Sequence, residues 1–285
     1  MRILIAGCSG FLGRYLEKHL SRQHEVYGVS RSCNPDHHHI PGDLSDPAFV
    51  EMLSRDIGGD IVIHAAGIKD IIRCETEPEL GFRENTRTTA NLCQYFGAPT
   101  RILYVSSDYV FEGTKGRYAE TDPAHPKTRY GQSKLDAEAE GMRLSGNHFS
   151  IMRTAAIYSH DAAFPRFLQK QLTEGNKVEC FLDSTYSPTY IDDFLAAVTF
   201  WCGHPEVHGV FHVCGSPCTR CEFARMFARA SGFSEDLIEP VNGGMSRYLF
   251  PDLSLSSVLT MRAFSMTPTP HEQALSSIAK GEYGD

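Results

Sequence analysis

The chain has 285 residues, of which 41% are hydrophobic and 22% charged, and its formal net charge is −8. This composition is that of an ordinary folded protein and excludes the disordered and fibrous classes. The negative net charge argues against nucleic acid or an anionic membrane as the main partner, although it allows a local basic pocket for one phosphorylated ligand.

The amino terminus begins with a short apolar run, residues 2–6, that leads directly into a glycine-rich loop. The run is too short for the core of a signal peptide, and no later stretch reaches membrane-spanning length. We therefore expect a first β-strand here and a cytoplasmic protein. Nine scattered cysteines indicate free thiols in a reducing compartment.

Strand-like and helix-like segments alternate through the first half, which is the pattern of a doubly wound parallel sheet with helices on both faces. The pattern predicts strands at residues 2–6, 25–29, 61–65, 101–106, 149–153 and 210–213. It predicts helices at residues 11–20, 47–55, 79–96, 130–144, 164–174, 192–201 and 218–231. The predicted fold class is α/β, a Rossmann fold at residues 1–158 to which 190–213 returns, with a smaller lobe from 159–189 and 214–285.

A glycine-rich loop joins the first predicted strand to the first predicted helix. Glycines at the spacing G-x-x-G-x-x-G permit a tight turn and close approach of the backbone to a pyrophosphate, while the helix amino terminus supplies N–H groups. Glycines also occur in ordinary turns, but the strand-loop-helix context is the one that a dinucleotide site requires. The predicted cofactor-binding residues of this loop are Gly7, Ser9, Gly10, Phe11, Leu12 and Gly13.

The end of the second predicted strand distinguishes between the two nicotinamide cofactors. NAD-selective sites place a carboxylate there, whereas this chain has Ser30, Arg31 and Ser32. The Arg31 guanidinium suits a 2′-phosphate, so the pattern favours NADP(H). The alternative is that Arg31 is an ordinary surface arginine.

Two further stretches are placed to line the same cofactor. The first is expected to meet the adenine, and the second ends a buried strand with small residues that let a dinucleotide pass. These predicted contacts are Asp43 and Leu44, then His64, Ala65, Ala66 and Gly67. His64 is alternatively a packed core histidine.

Tyr130 and Lys134 are four residues apart and therefore lie on one face of a predicted helix. Upstream, a buried strand ends at Ser106 and Ser107, at the sheet edge where ligands bind. A phenol has a pKa of about 10, so we expect the Lys134 ammonium and an oxidised nicotinamide to lower the pKa of Tyr130. Either serine is a candidate to hydrogen-bond a substrate carbonyl. A chance Tyr-x-x-x-Lys on a solvated helix face is the alternative.

With these elements, the sequence resembles the extended short-chain dehydrogenase/reductases, and more narrowly the dTDP-4-dehydrorhamnose reductase family. The narrower resemblance rests on residues 106–113, which read SSDYVFEG, on the YAETD stretch at 118–122, and on YGQSK at 130–134. Ser187-Pro188-Thr189, the segment 251–255 and Thr267-Pro268 also resemble that family.

The resemblance implies an NADPH-dependent oxidoreductase that reduces the 4-keto group of a nucleotide-linked 6-deoxysugar. It gives Tyr130 the role of proton donor, Lys134 that of its partner and a contact to the nicotinamide ribose, and Ser107 that of orienting the carbonyl. Asn85 and Ser106 complete the predicted cofactor surroundings. The predicted substrate contacts are Ser107, Asp108, Tyr109 and Thr154. By the same analogy, two copies pair through the helices at 79–96 and 130–144.

The chain also departs from that family. Ser107 stands at a position that is usually Thr, and the arginines that grip the nucleotide diphosphate are absent from residues 250–255, with Arg247 and Arg262 as candidate substitutes. Two alternative functions therefore stay open. One is a nucleotide-sugar epimerase or dehydratase, and the other is a non-catalytic NADP-binding regulatory subunit that resembles that of methionine adenosyltransferase.

We predict no metal site. The alternative is a cluster of Cys214, Cys218 and Cys221 with His212, whose spacing lacks a second matched pair. The three histidines at 37–39 are interpreted as part of a solvated turn.

Overall fold

The computed structural model describes residues 1–243 and 248–281. Its strands are β1 Arg2–Ala6, β2 Glu25–Ser30, β3 His39–Pro41, β4 Ile61–His64, β5 Arg101–Ser107, β6 Phe149–Thr154, β7 Ile157–Tyr158, β8 Val178–Phe181, β9 Thr185–Tyr186, β10 Thr189–Tyr190, β11 Val210–His212, β12 Cys218–Thr219 and β13 Ile238–Val241. Its α-helices are α1 Phe11–Leu20, α2 Pro47–Asp56, α3 Ile71–Thr76, α4 Pro78–Gly81, α5 Thr88–Phe96, α6 Arg129–Ser145, α7 Ala163–Thr173, α8 Ile191–Gly203, α9 Arg220–Ala230, α10 Val258–Ala263 and α11 His271–Lys280.

The chain forms two compact units. The first comprises Met1–Val110, Ala124–Arg153 and Thr199–Phe211. The second comprises Phe111–Pro123, Thr154–Val198 and the chain from His212 onward.

The first unit contains a seven-stranded sheet in the order β11-β6-β5-β4-β1-β2-β3. The pairings β1–β2, β1–β4, β2–β3 and β4–β5 are all parallel. The order reverses beside β1, and in such sheets a ligand binds at that reversal, beyond the carboxyl ends of the strands. The predicted α/β Rossmann fold is confirmed.

The central strands are buried on both faces, as the nearly continuous apolar run of β1 predicts. Its residues from Ile3 to Ala6 are fully buried. Local signals set several helix starts. Asp46 caps α2 by accepting a hydrogen bond from the Ala48 amide, and Thr128 caps α6 by accepting one from the Gly131 amide.

The second unit contains three two-stranded sheets, β7–β10, β8–β13 and β9–β12. Aromatic side chains fill its interior. Phe111 stacks on Tyr118 with ring centroids 4.4 Å apart, and Tyr158 hydrogen-bonds His271 at 3.0 Å and packs edge-on against Phe223.

One local prediction was incomplete, and two were wrong. The single helix expected at 79–96 contains a π-helical segment, Phe82–Arg87, between α4 and α5. Cys218 lies in β12 opposite Tyr186, and the following helix begins only at Arg220. His39 is not part of a solvated turn, because it starts β3 and its ring contacts Asp36 and Glu17.

Within residues 1–243 and 248–281, no helix has the length and apolar character needed to cross a membrane.

Candidate active site

The glycine loop is shaped so that side chains are excluded from it. Gly7 has φ +93°, and a Cβ there would lie 2.7 Å from the backbone nitrogen of Ala66. A Cβ on Gly13 would overlap the carbonyl oxygen of Gly7. The Gly10 amide closes the turn by donating to that carbonyl at 3.0 Å, immediately before α1. This backbone cradle, open at the amino terminus of a ten-residue helix, fits a dinucleotide pyrophosphate.

The end of β2 lies against the glycine loop, because the Ser9 and Ser32 hydroxyls are 3.0 Å apart. The Arg31 guanidinium binds the Glu84 carboxylate end-on, Nη1 to Oε1 and Nη2 to Oε2, both at 3.0 Å. The sequence offered no signal for this carboxylate, since Glu84 lies 53 residues further along the chain, in the π-helical segment.

Asp43 accepts a hydrogen bond from the Ser45 amide at 2.8 Å. Burial acts to raise the pKa of Asp43, but hydrogen bonds from Ser45 and the charges of Arg31 and Arg83 together leave it below its ordinary value. The neighbouring residue Leu44 is buried, and its carbonyl accepts from Asn91.

His64 is packed in the interior of the first unit. Its Nε2 is 2.9 Å from the Thr89 hydroxyl, and its ring centroid is 5.1 Å from that of Tyr104. Burial, aided by the charge of Lys134, lowers the pKa of His64 to about 3, so the ring is neutral at physiological pH.

Asn85 joins the segment after β4 to helix α6. Its side chain accepts from the Ile68 amide at 3.0 Å and donates to the Ile68 carbonyl at 3.2 Å and to the Ser133 hydroxyl at 2.9 Å. The residue is fully buried. A Cβ on Gly67 would collide with the Asn85 oxygen, so glycine permits this junction. The predicted contact of Asn85 with a cofactor stays a prediction.

The two serines that end β5 have different partners. Ser106 donates to a carboxylate oxygen of Glu138 at 2.5 Å, inside the protein. Ser107 donates to Asp108 at 2.8 Å and accepts from the Tyr109 amide at 3.3 Å. Both serines donate to a buried carboxylate, but the Ser107 hydroxyl also hydrogen-bonds Tyr130. Ser107 is therefore the better candidate to orient a substrate carbonyl.

Tyr130, at the start of α6, is half-buried, with its ring edge-on to that of Tyr109 at 5.7 Å. Burial raises its pKa above the ordinary value of 10, a hydrogen bond with Ser107 opposes the rise, and the charge of Asp108 adds to it. In the protein alone the direction is therefore opposite to the lowering expected from the sequence. The phenol is held protonated near neutral pH.

Lys134 lies one turn further along α6 and is almost fully buried. Its Nζ donates to the Val105 carbonyl at 2.7 Å and lies 4.1 Å from the Tyr104 ring centroid. Burial lowers the pKa of Lys134 to about 7, and the charge of Glu138 opposes that fall. A lysine in this condition exchanges its proton readily at physiological pH.

A buried ion pair lies next to these residues and connects the elements that carry them. Glu138 binds Arg153 through two hydrogen bonds, Nε to Oε1 at 3.0 Å and Nη2 to Oε2 at 2.6 Å. With the bond from Ser106, this ion pair ties β5, α6 and β6 together directly behind Ser107 and Lys134. Glu138 was not among the predicted residues, although its position four residues after Lys134 places both on one helix face.

The remaining predicted substrate residues lie in the second unit or outside the described chain. Thr154 is buried, and its hydroxyl is 2.8 Å from that of Thr189. Arg262 is exposed on α10. Arg247 lies outside the described residues. The predicted roles of all three stay predictions.

In the described part of the chain, no group of three or more His, Cys, Asp or Glu side chains is arranged to hold a metal ion.

The strand order, the glycine loop at the sheet reversal and the Ser-Tyr-Lys group define a Rossmann-fold protein of the extended short-chain dehydrogenase/reductase class. Within that class, the chain belongs to the RmlD substrate binding domain family, whose sequence pattern matches residues 1–278. The resemblance on which the sequence analysis relied is thus confirmed.

Three known proteins illustrate what the chain is similar to. A probable low-salt glycan biosynthesis reductase, Agl14, of Haloferax volcanii is 30% identical over 84% of this chain and 83% of its own length. Methionine adenosyltransferase 2 subunit beta of Xenopus laevis is 28% identical over 94% and 84%. The crystal structure of a hypothetical dTDP-4-dehydrorhamnose reductase from Sulfolobus tokodaii is 29% identical, with a TM-score of 0.85 over 96% of this chain and 99% of that one.

Proposed function

We propose that the protein is an NADPH-dependent reductase that transfers hydride to the 4-keto group of a nucleotide-linked 6-deoxysugar. The observation that carries the proposal is the position of Tyr130, a phenol held protonated beside Ser107 in the unit that contains the dinucleotide cradle. The names of related proteins, a glycan biosynthesis reductase and a dTDP-4-dehydrorhamnose reductase, support a keto-sugar substrate.

Residues of this chain account for the protonation of the carbonyl oxygen during the reduction. NADPH, when bound, supplies the hydride that reduces the carbonyl carbon. Ser107 donates a hydrogen bond to the carbonyl oxygen, and Tyr130 transfers its phenolic proton to that oxygen as negative charge develops there. Lys134, with its pKa near 7, stabilises the resulting phenolate and helps to restore its proton.

We also propose a division of labour between the two units. The glycine loop, Arg31 and Tyr130 all belong to the first unit, which is assigned to the cofactor, and the second unit is assigned to the nucleotide sugar. The pairing of two copies remains a prediction that light scattering can measure.

The protonation state of Tyr130 also bears on the alternative functions. Epimerases and dehydratases that retain their cofactor begin by oxidising the sugar, for which the tyrosine must first act as a base. Burial keeps the Tyr130 phenol protonated in the protein alone, so the proton that a reduction consumes is already in place, whereas an oxidation must first remove it. A regulatory subunit needs no proton donor, so turnover is the test that separates it from a reductase.

The test is NADPH oxidation by the purified protein against a panel of nucleotide-linked 4-keto-6-deoxysugars. Tyr130→Phe should lower kcat by about 10²–10⁴-fold and leave NADPH affinity unchanged. Tyr27→Phe, which removes a hydroxyl that donates to Glu25 elsewhere in the first unit, should change neither. Equal turnover by Tyr130→Phe would refute the mechanism. NADPH binding without turnover of any sugar would favour the regulatory alternative.

A further inference from the structure

One buried carboxylate in the first unit binds two arginines. Glu84 accepts from Arg31 as described, and its Oε1 also accepts from Arg83, from Nε at 3.1 Å and Nη2 at 2.9 Å. The side chain of Glu84 is 10% exposed, whereas those of Arg31 and Arg83 are 61% and 47% exposed. The carboxylate therefore lies beneath two guanidiniums that face solvent.

In this arrangement both guanidiniums retain N–H donors for a second anion. Two guanidiniums repel each other, and the carboxylate between them offsets the repulsion and keeps them close. A guanidinium has five N–H donors. Arg31 donates one hydrogen bond to Glu84 and Arg83 donates two, so each retains donors for a second anion. The charges of both arginines also act on the Asp43 carboxylate, so the group offers a second anion its remaining N–H donors and not a large net charge.

The group lies at the part of the first unit where the adenosine half of a dinucleotide is expected. Arg31 immediately precedes Ser32, whose hydroxyl contacts Ser9 of the glycine loop. Arg83 reaches the same place from the π-helical segment, since the charges of both arginines act on Asp43. Two elements far apart in sequence thus bring their cations to one point.

We propose that Arg83 is a second ligand, beside Arg31, for the 2′-phosphate of NADP(H), and that Glu84 is the positioning residue that holds the two guanidiniums in place. The inference rests on the proposed use of NADPH. A phosphate dianion accepts hydrogen bonds from two planar guanidiniums, whereas the 2′-hydroxyl of NADH carries no charge to attract them. Arg83 thus contributes to the choice between the two cofactors.

The experiment measures the dissociation constants of NADPH and NADH by fluorescence titration, with no sugar present. Arg83→Ala should weaken NADPH binding about tenfold or more, as expected for the loss of a charge-assisted hydrogen bond, and change NADH binding less than about twofold. Arg83→Lys, which keeps the charge without the planar fork, should give an intermediate loss. Arg87→Ala is the matched control, because Arg87 is exposed on the same segment and lies over the Phe82 ring.

Glu84→Gln tests the positioning role. Its amide N–H group would face a guanidinium, so the two arginines should separate and NADPH affinity should fall relative to NADH affinity. Restoration of the ratio by Glu84→Asp would support the role further. A gain in NADPH affinity in Glu84→Gln would show that the carboxylate opposes the phosphate, and would overturn this part of the proposal.

Three outcomes would overturn the role of Arg83. They are an unchanged ratio of the two affinities in Arg83→Ala, an equal loss for both cofactors, and an equal loss of NADPH affinity in Arg87→Ala. Failure of the proposed function looks different, because the unmodified protein would then bind neither cofactor, or would bind NADPH without reducing any sugar.

Discussion

The ammonium of Lys134 donates a hydrogen bond to the carbonyl oxygen of Val105 at 2.7 Å. This contact ties the face of α6 that carries Lys134 to the end of β5, where the two serines lie. It also draws the lysine charge into the interior, over the Tyr104 ring. Desolvation of that charge opposes folding as long as the lysine is protonated.

We expect the loss of unfolding free energy caused by the buried Lys134 charge to depend on pH within a defined range. The pKa of Lys134 is about 7 in the folded protein and near 10.5 when unfolded, so the unfolded state binds more protons between these values. The destabilisation is fully present below pH 7 and is relieved as pH rises to about 10.5. Lys134→Met should therefore be more stable than the unmodified protein at pH 6.5, by a margin that shrinks towards pH 10.

Urea denaturation at several pH values measures this margin. Lys170→Met, which removes an exposed lysine of α7, is the control and should show no such trend. A margin for Lys134→Met that grows with pH would contradict the prediction.

The ion pair between Glu138 and Arg153 should be essential to stability. Glu138→Gln leaves a buried guanidinium without its counter-charge, which costs about 3–5 kcal/mol of unfolding free energy. Glu140→Gln lies on the same helix and breaks an exposed pair with Arg143, for which about 0.5 kcal/mol or less is expected. Similar losses in the two variants, measured by urea denaturation, would show that the buried pair has no special role.

Gly13→Ala should damage the cofactor cradle. The added methyl group would overlap the Gly7 carbonyl, so loop and helix must separate at a cost of about 1–3 kcal/mol. We expect lower thermal stability and weaker NADPH binding. Gly203→Ala is the control, because no atom lies within 4 Å of its added Cβ. Unaltered NADPH affinity in Gly13→Ala would contradict the assignment of the loop to the cofactor.

The two serines at the end of β5 should behave differently when replaced. Ser107→Ala should lower kcat about 10²–10³-fold without changing NADPH affinity, because it removes a donor to the developing oxyanion. Ser107→Thr should retain activity. Ser106→Ala should chiefly reduce stability, since it removes a donor from Glu138. Steady-state kinetics with thermal denaturation separates these effects, and a larger kcat loss in Ser106→Ala would reverse the assignment.

The elements that were predicted best are those with strong local signals. β1 and α1 begin and end at the predicted residues, because a continuous apolar run, a glycine turn and an amphipathic repeat follow each other without ambiguity. The wrong predictions concern short pairings. β3 pairs with β2 over three residues, and Cys218 pairs with Tyr186 in a two-residue ladder, neither of which leaves a periodic pattern in the sequence.

The sequence by itself determined the α/β class and the family. It also sufficed to predict a dinucleotide loop and a Ser-Tyr-Lys group, because these signals depend on residues close together in the chain. Tertiary structure decided which partners complete the site. Glu84 accepts a hydrogen bond from Arg31, which is 53 residues away in the chain, and Glu138 accepts one from Ser106, which is 32 residues away. It also decided the direction of the pKa shifts of Tyr130 and Lys134. Those shifts arise from burial, which depends on how distant segments pack and has no local signature in the sequence.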